Sequence, residues 1–278
     1  MTDIAFGTTE AAAQWRLHAA ARNAAMAPST ERMFARAAIH EGAHVLDVGA
    51  GTGDTALEAA ARVGPRGHIV ATDVSSPMLA QCAAAARQAG IHNVETLVAD
   101  AAALKFEATF DAVIGRNVLM FVDLPRALSA IRSALRPGGR FATTVWGPLE
   151  RNPYHAIPIE VVRRMNAMPS PEPHIVRAFS LSNAGSLRAA FERAGFADVA
   201  IESVSVTRHF ATIDEAVAAN RPSGPIAELT ARLDQNGVTA FHAAVADAFA
   251  PFLREQGFVI TGEQLVVAGK NAARHATG

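Results

Sequence analysis

The chain of 278 residues has a single cysteine, no excess of either charge and no long apolar run. The lone Cys82 excludes an internal disulfide and a cysteine-rich zinc site, and we expect no metal site. Its neighbours Leu79, Ala83 and Ala86 place it on the buried side of a predicted helix, where cysteine packs as a small apolar residue. A catalytic thiol is therefore not expected.

Charge is balanced, because 25 basic residues stand against 26 acidic ones. No run of five like charges occurs, so the sequence lacks the basic surface typical of proteins that bind nucleic acid or anionic membranes. No segment approaches the roughly 20 apolar residues of a membrane span, and the first ten residues lack the charged start and apolar run of a signal peptide. We expect a soluble, cytoplasmic protein with no nucleic-acid or membrane partner.

Apolar sequence is abundant, since hydrophobic residues make up 50% of the chain. From residue 44 these residues form short β-type runs separated by helical periods. Strands are predicted at 44–49, 67–73, 94–100, 110–117 and 140–147, and helices lie between them. Such alternation predicts βαβ units, and hence an α/β fold with a doubly wound parallel sheet covered by helices on both faces.

After residue 147 this alternation stops. A helix is predicted at 183–194, a strand at 198–208 and a last strand at 257–270, with a bulge near Gly262. One face of a further helix is formed by apolar residues at helical spacing: Phe241, Val245, Phe249, Phe252 and Leu253.

We therefore predict one domain over residues 1–278 with three additions to the sheet. A helical N-terminal segment at 8–40 covers the domain. Two insertions, at 148–180 and 209–257, fold over the carboxyl ends of the strands as a lid.

Three glycines stand on alternate positions in VLDVGAGTGD, at residues 45–54. Glycine costs roughly 0.5–1 kcal/mol of backbone entropy, so the cluster indicates a sharp bend or a close approach to a ligand. A P-loop is rejected because the segment has no lysine, and the dinucleotide pattern fails at its third glycine.

Acidic residues recur at three successive strand ends, as Asp47, Asp73 and Asp100. Ligands of open parallel sheets bind beyond the carboxyl ends of the strands, so we expect all three carboxylates in one crevice. An acidic crevice suits a ligand with hydroxyl groups and a positive centre. A nucleoside sulfonium with an amino-acid tail has both.

Five segments, VLDVGAGTG, ATDVS, LVADAAAL, FDAVIGRN and LRPGGRFATT, resemble in order the motifs of class I S-adenosylmethionine-dependent methyltransferases. The nearest kind is the one related to ubiquinone and menaquinone biosynthesis, and the resemblance covers residues 42–147. It implies a Rossmann-like sheet of seven strands whose last strand is antiparallel. The insertion at 209–257 departs from the simple hairpin common in the family, so the acceptor cannot be transferred from a relative.

The resemblance also implies roles for individual residues, with S-adenosylmethionine as the cofactor. Asp47 would reach the methionine ammonium, Asp73 would bind the ribose hydroxyls, and Asp100 would bind the adenine edge. The remaining expected cofactor-binding residues are Gly49, Ala50, Gly51, Gly53, Val74, Met78, Ala101, Arg116 and Asn117.

The function implied is methyl transfer to a small, partly hydrophobic molecule. His155 is the leading candidate for a general base, ahead of Tyr154, His174 and His209, and Asn117 faces the acceptor. A non-methylating enzyme or a cofactor-binding protein on the same fold, and a dehydrogenase, remain alternatives. A homodimer is a possible assembly.

Overall fold

The short apolar runs form the strands of one central sheet in the computed structural model, which describes residues 7–168, 174–218, 229–230 and 232–272. These residues contain eight strands: β1 (His44–Val48), β2 (His68–Asp73), β3 (Val94–Val98), β4 (Phe110–Arg116), β5 (Leu135–Trp146), β6 (Phe196–Phe210), β7 (Leu253–Arg254) and β8 (Gly257–Asn271). Seven follow the order β3-β2-β1-β4-β5-β8-β6, and β7 pairs with β8 outside this path. Strands β1 to β5 are parallel, whereas β8 is antiparallel to β5 and β6. The predicted doubly wound, mostly parallel sheet is confirmed.

The helical periods form the outer layers of the fold. The described helices are α1 (Thr9–Leu17), α2 (Ala19–Ala37), α3 (Asp54–Val63), α4 (Ser76–Gln88), α5 (Leu124–Ala134), α6 (Pro153–Arg164), α7 (His174–Arg177), α8 (Ala184–Arg193), α9 (Ile213–Ala218) and α10 (Gln235–Phe249). Ser75, Asp123 and Asn183 begin α4, α5 and α8 by accepting a backbone N–H of the first turn. Among these helices none is long and apolar enough to cross a bilayer.

Alternate residues of each strand enter two different cores, one on each face of the sheet. On one face Phe34 of α2 and the alanines of α3 pack on Val45 and Ile114. On the other face, Phe141 of β5 stacks on Phe191 of α8, with ring centroids 5.5 Å apart. Both cores therefore hold the carboxyl ends of the strands in fixed positions.

Strands β6 and β8 continue together beyond the end of β5. Trp146, the last residue of β5, pairs with Gln264, whereas the pairing of β6 with β8 extends to Phe210 and Phe258. We call this two-stranded extension, residues 206–210 with 258–262, the ribbon. It carries a third apolar cluster from α6, α9 and α10, whose largest members are Tyr154, Ile159, Phe241 and Phe249.

The two predicted insertions thus supply the helices packed on the ribbon, beyond the carboxyl end of β5. Residues 169–173 and 219–228 of these insertions lie outside the described part of the chain. Whether the insertions act as a lid stays a prediction.

Two local predictions are wrong. Residues 206 and 262 pair in register, so there is no bulge at Gly262, and the irregularity lies instead between Ala197 and Ala200 of β6. Gly262 is needed for another reason, because a Cβ there would lie 2.5 Å from Oδ1 of Asn152. The apolar face of α10 ends at Phe249, and Leu253 is 57% exposed because the chain leaves the helix before it.

Candidate functional site

The glycine loop joins β1 to α3 and has left-handed backbone at all three glycines, with φ of 66° at Gly49, 56° at Gly51 and 89° at Gly53. Two of them are closely packed. A Cβ on Gly49 would lie 2.4 Å from Val118, and a Cβ on Gly53 would lie 2.5 Å from Sγ of Cys82. Nothing lies within 4 Å of a Cβ on Gly51, so this glycine borders open space. The open side of the loop is where a ligand can approach its backbone.

Asp47 lies directly beneath this loop and is fully buried. Its Oδ2 accepts the hydroxyl of Thr55 at 2.6 Å, while its Oδ1 is buried with no hydrogen-bond partner. Burial raises the pKa of Asp47 to about 7, against the opposing effects of the Thr55 hydrogen bond and the Arg116 charge. An unpartnered carboxylate oxygen costs free energy unless a donor reaches it.

Asp73 stands at the end of β2 and faces the same loop. One carboxylate oxygen accepts the backbone N–H of Gly51 and the other that of Ser75, both at 2.9 Å. Burial raises its pKa, and these backbone donors act in the opposite direction. Because each carboxylate oxygen can accept more than one hydrogen bond, Asp73 retains capacity for ligand hydroxyls.

Asp100 lies farther out, after the edge strand β3. It is exposed, and its Oδ1 accepts the backbone N–H of Ala102, which begins a short 3-10 turn at Ala101. It borders a cavity of about 300 Å³ with Val98, and neither Asp47 nor Asp73 lines that cavity. The structure therefore places Asp47 beneath the glycine loop and Asp73 in contact with it, and leaves Asp100 at the sheet edge.

The other expected cofactor-binding residues differ in how far their side chains are exposed. Ala50, Met78 and Ala101 are buried, whereas Val74 is 42% exposed just after β2. Met78 belongs to the first turn of α4 and packs inward. Only Val74 of these four thus presents an apolar side chain at the surface beside Asp73.

Arg116, at the end of β4, is engaged by the N-terminal helices. Its guanidinium donates to Asn23 at 2.7 Å, to Thr30 at 3.2 Å and to Asp54 at 3.3 Å. Asp54 also accepts Arg22 at 2.5 Å and Arg16 at 3.5 Å. Sequence reasoning missed this role of Asp54, because its partners are 32 to 62 residues away and no spacing pattern joins them.

Asn117 follows Arg116 and has left-handed backbone, with φ of 58°. Its Oδ1 accepts Gln264 Nε2 at 3.0 Å and the Thr144 hydroxyl at 3.2 Å. Gln264 in turn accepts the hydroxyl of Ser29 on α2. The amide of Asn117 therefore ties the end of β4 to β5, β8 and α2.

His155, near the start of α6, is nine-tenths buried, and neither ring nitrogen has a hydrogen-bond partner. Its ring lies between aromatic neighbours, with centroids 4.7 Å from Trp146 and 5.0 Å from Tyr154. Burial and the charge of Arg208 hold the pKa of His155 well below its usual value. The imidazole is consequently neutral at physiological pH.

The other candidates for a general base, and the single cysteine, lie in different parts of the structure. Tyr154 is buried, and burial raises its pKa. His209 is exposed on β6, and His174 begins the short α7. Cys82 is buried beneath Gly53, with a pKa raised to about 12 chiefly by burial, as expected for a packing residue.

Residues 45–139 match the family model described as a methyltransferase domain. The match begins in β1, spans the glycine loop, Asp73, Asp100 and Arg116, and ends in β5. Residues 45–139 form a class I S-adenosylmethionine-dependent methyltransferase domain. The resemblance drawn from the five motifs is thereby confirmed.

Two curated relatives and one solved structure illustrate the likeness of this methyltransferase domain. Nocamycin O-methyltransferase of Saccharothrix syringae is 38% identical over 110 residues, or 39% of each chain. Demethylmenaquinone methyltransferase of Listeria welshimeri is 35% identical over 106 residues, 37% of this chain and 45% of the relative. The YcgJ protein of Bacillus subtilis shares the fold with a TM-score of 0.57 at 20% identity, covering 88% of this chain and 98% of that one.

The family model matches about a third of the chain, residues 45–139. The chain spans less than half the length of the two curated relatives it matches. The matched range ends before α6 and before the ribbon. The helices beyond β5 are therefore outside the region in which the family model applies.

Proposed function

We propose that this protein transfers a methyl group from S-adenosylmethionine to a small, partly hydrophobic acceptor. The observation that carries the proposal is the buried, unpartnered Oδ1 of Asp47 beneath the glycine loop, with Asp73 bonded to Gly51 of that loop, in a domain of the methyltransferase family. Arg16 of α1 reaches the carbonyl of Thr52 in this loop, and α6 begins shortly after the end of β5.

The residues around the loop fit S-adenosylmethionine. Asp47 offers a buried oxygen without a donor, which suits the ammonium group directly or through water. Asp73 offers two carboxylate oxygens to vicinal hydroxyls, and Val74 offers apolar contact to a base. Gly51 leaves room for close approach. Asp100, with Ala101, is proposed for the outer, adenine end of the ligand.

When bound, the cofactor supplies a methyl carbon activated by its sulfonium. The residues of this chain then have to align the acceptor with that carbon and exclude water. We assign Asn117 a positioning role, because its amide oxygen already accepts two hydrogen bonds and holds the end of β4. Arg116 holds the N-terminal helices against the same strand end.

We propose His155 as the base that accepts a proton from the acceptor. One ring nitrogen of a neutral imidazole can accept a proton, and neither nitrogen of His155 is occupied by a protein partner. Its aromatic surroundings suit an acceptor with an apolar body.

Calorimetric titration with S-adenosylhomocysteine tests the cofactor site. Asp73→Ala removes hydrogen bonds to a charged acceptor and should weaken binding by at least about tenfold. Asp247→Ala, on the exposed side of α10, is the matched control and should bind as the wild type does. A wild-type protein that binds neither S-adenosylmethionine nor S-adenosylhomocysteine contradicts the proposal.

A non-methylating enzyme or a cofactor-binding protein on this fold is distinguished by the product. Methyl transfer to a panel of small acceptors releases S-adenosylhomocysteine in equal amount to methylated product, which mass spectrometry detects. Turnover of an acceptor without S-adenosylhomocysteine identifies the non-methylating alternative. Cofactor binding without any turnover across the panel favours the binding protein.

We further propose a cytoplasmic location and a homodimeric assembly. The near balance of charge and the absence of a nucleic-acid-binding surface in the sequence support a small-molecule acceptor in the cytoplasm. Cell fractionation tests the first proposal and sedimentation velocity tests the second.

A further inference from the structure

Two polar atoms at the glycine loop are buried and have no hydrogen-bond partner within the described part of the chain. One is Oδ1 of Asp47, and the other is the hydroxyl oxygen of Thr52, which lies between Gly51 and Gly53. Both residues are at most 1% exposed. A carboxylate oxygen accepts hydrogen bonds, whereas a hydroxyl group can also donate one. The loop therefore lacks a donor for Asp47 and an acceptor for Thr52.

An α-amino acid group supplies a donor and an acceptor on the same carbon atom. Its ammonium donates hydrogen bonds, and its carboxylate accepts them. The proposed function assigns the ammonium to Asp47 and gives the carboxylate no partner. Because an unpaired carboxylate is costly to remove from water, we expect a cation near the loop.

Arg16 of α1 places a guanidinium at this loop. Its Nη1 lies 3.5 Å from the carbonyl oxygen of Thr52 and 3.5 Å from Oδ1 of Asp54. Both distances are at the outer limit for a hydrogen bond. Among the described residues no other acceptor contacts Arg16, although a guanidinium has five N–H donors. Most of its hydrogen-bonding capacity is therefore available to a ligand.

The two other arginines around Asp54 are already occupied. Arg22 donates to Asp54 at 2.5 Å, and Arg116 donates to Asn23 at 2.7 Å. Their side chains are 11% and 10% exposed, against 36% for Arg16. Arg16 is thus the member of this cluster that is both accessible from solvent and weakly held.

Electrostatic effects on Cys82 place Arg16 and Asp47 near the same part of the loop. Burial is the main cause of the raised pKa of Cys82, and beyond it the charge of Asp47 raises this pKa while that of Arg16 lowers it. The thiol is packed beneath Gly53, the residue that follows Thr52. Both charged groups therefore lie close to the thiol beneath the loop.

We propose that Arg16, with the Thr52 hydroxyl, binds the carboxylate of the amino-acid tail of S-adenosylmethionine. The inference rests on the proposed function and adds to it a cofactor-binding residue from α1, outside the range that matches the family model. Arg16 thereby distinguishes adenosyl compounds that carry this carboxylate from those without it. Since the unpartnered atoms of Asp47 and Thr52 are closed to solvent, the tail reaches them by a local displacement, and α1 then closes over it.

The test measures binding of three probes to the full chain by calorimetry. S-Adenosylhomocysteine carries the ammonium and the carboxylate, S-adenosyl-3-thiopropylamine carries the ammonium alone, and 5′-methylthioadenosine carries neither. The variants are Arg16→Met and Arg16→Lys. Arg36→Met is the matched control, because the Arg36 side chain is 38% exposed and pairs with one carboxylate, that of Glu202 on β6.

We expect the wild type to bind S-adenosylhomocysteine more tightly than the thiopropylamine. Arg16→Met should weaken binding of S-adenosylhomocysteine by about tenfold or more, because a charged hydrogen bond is lost. It should leave binding of the other two probes unchanged, since neither has a carboxylate. Arg16→Lys should keep part of the preference, and Arg36→Met should keep all of it.

Hydrogen exchange provides a second measurement, which does not depend on affinity. With each probe at saturation, exchange in α1 of the wild type should be slower with S-adenosylhomocysteine than with the thiopropylamine. In Arg16→Met the two probes should give the same exchange in α1. Equal exchange with both probes in the wild type would overturn the closure of α1.

Equal affinity of the wild type for S-adenosylhomocysteine and the thiopropylamine overturns the inference. So does an equal loss of all three probes in Arg16→Met, which would assign Arg16 to the packing of α1 alone. Circular dichroism checks folding, and if Arg16→Met unfolds, the preferences of the wild type and Arg16→Lys decide.

These outcomes are separate from failure of the proposed function. A wild-type chain that binds none of the three probes removes the proposed function itself. A chain that binds all three with no preference for the carboxylate removes only the role of Arg16.

Discussion

At the scale of single residues, the three loop glycines have two different physical roles. Gly49 and Gly53 permit contact with side chains, whereas Gly51 permits approach of a ligand. The spacing of the glycines predicts the bend. It does not predict which glycine is packed, because Val118 and Cys82 reach the loop from distant segments.

The packed glycine gives a first prediction. Gly53→Ala forces left-handed backbone on alanine and places its Cβ 2.5 Å from Sγ of Cys82, so we expect a loss of about 2–4 kcal/mol in the free energy of unfolding. Gly51→Ala should lose only about 1–2 kcal/mol, since it meets no neighbour. Urea denaturation measures both. Adding Cys82→Ala to Gly53→Ala should recover part of the loss, and an unchanged loss would contradict the contact.

Asp47 gives a second prediction, on pH dependence. Its pKa is raised to about 7 in the folded protein from 3.8. The folded state therefore binds more protons than the unfolded state between these values, and stability falls as the pH rises through about 4 to about 7. Asp73, whose pKa is also raised, acts in the same direction.

Denaturation of the ligand-free protein at several pH values measures this effect. Asp47→Asn should flatten the decline, because the amide does not titrate and can still accept the Thr55 hydroxyl. The control Asp247→Asn should follow the wild type. A decline that persists unchanged in Asp47→Asn would show that another group causes it.

The sequence predicted the positions of residues that lie in a strand or at its end. Asp47 and Asp73 directly follow or end apolar runs, so the topology of the sheet places them. Asp54 and Arg208 were not predicted as interaction centres. Their surroundings are created by α1, α2 and α6, whose positions no local pattern specifies.

At the scale of elements, one carboxylate joins both N-terminal helices to the end of β4, in addition to the apolar packing of α2 on the sheet. The side chain of Asp54 is only 6% exposed and pairs with arginines of α1, of α2 and of β4. The helical nature of residues 8–40 was predictable from composition and periodicity. The attachment was not, because it depends on the packing of α2 across the sheet.

Removal of this carboxylate gives a third prediction. Asp54→Asn leaves Arg22 and Arg116 buried without a counter-charge and should lower the free energy of unfolding by about 3–5 kcal/mol. Arg22→Met should cost less, since Arg16 and Arg116 still pair with Asp54. Chemical denaturation measures stability, and hydrogen exchange should show faster exchange in α1 for both. Equal stability of Asp54→Asn and the wild type would contradict this account.

Strands were likewise predictable where the local sequence determines them, and were not where a distant segment does. Strands β1, β2 and β4 were predicted within one residue at each end because burial on both faces makes them nearly continuous apolar runs. The edge strand β3 is largely exposed and ends two residues early, and β5 begins five residues before its predicted start. The bulge expected at Gly262 was wrong because a glycine in a strand has two explanations. Here it makes room for Asn152, 110 residues away in the chain.

At the scale of the whole molecule, the sheet and the helices of the insertions are joined by Asn152. Its Nδ2 donates to the carbonyls of Gly147 at 3.3 Å and Pro148 at 3.0 Å, and its Oδ1 accepts the backbone N–H of Glu263 at 2.9 Å. This one buried side chain fixes the start of α6 on both β5 and β8.

Removal of the Asn152 hydrogen bonds gives a fourth prediction. Asn152→Ala leaves buried backbone groups without partners and should cost about 1–3 kcal/mol of stability. The effect should be concentrated in α6, where hydrogen exchange will accelerate, while β1 to β4 exchange as in the wild type. Asn236→Ala, at an exposed position in the first turn of α10, is the matched control. Equally faster hydrogen exchange across the whole sheet would contradict a local effect of Asn152 on α6.

The ribbon has a consequence for which parts of this sequence can vary independently of each other. Two-stranded ribbons twist more strongly than wide sheets, and here the ribbon bears α6, α9 and α10. The ribbon and the helices on it lie outside residues 45–139, the range that matches the family model and contains the glycine loop, Asp47 and Asp73. Because α6 and Asn152 pack on the same ribbon, an exchange between homologues has to take residues 148–262 together, giving chimeras that keep the glycine loop of this chain.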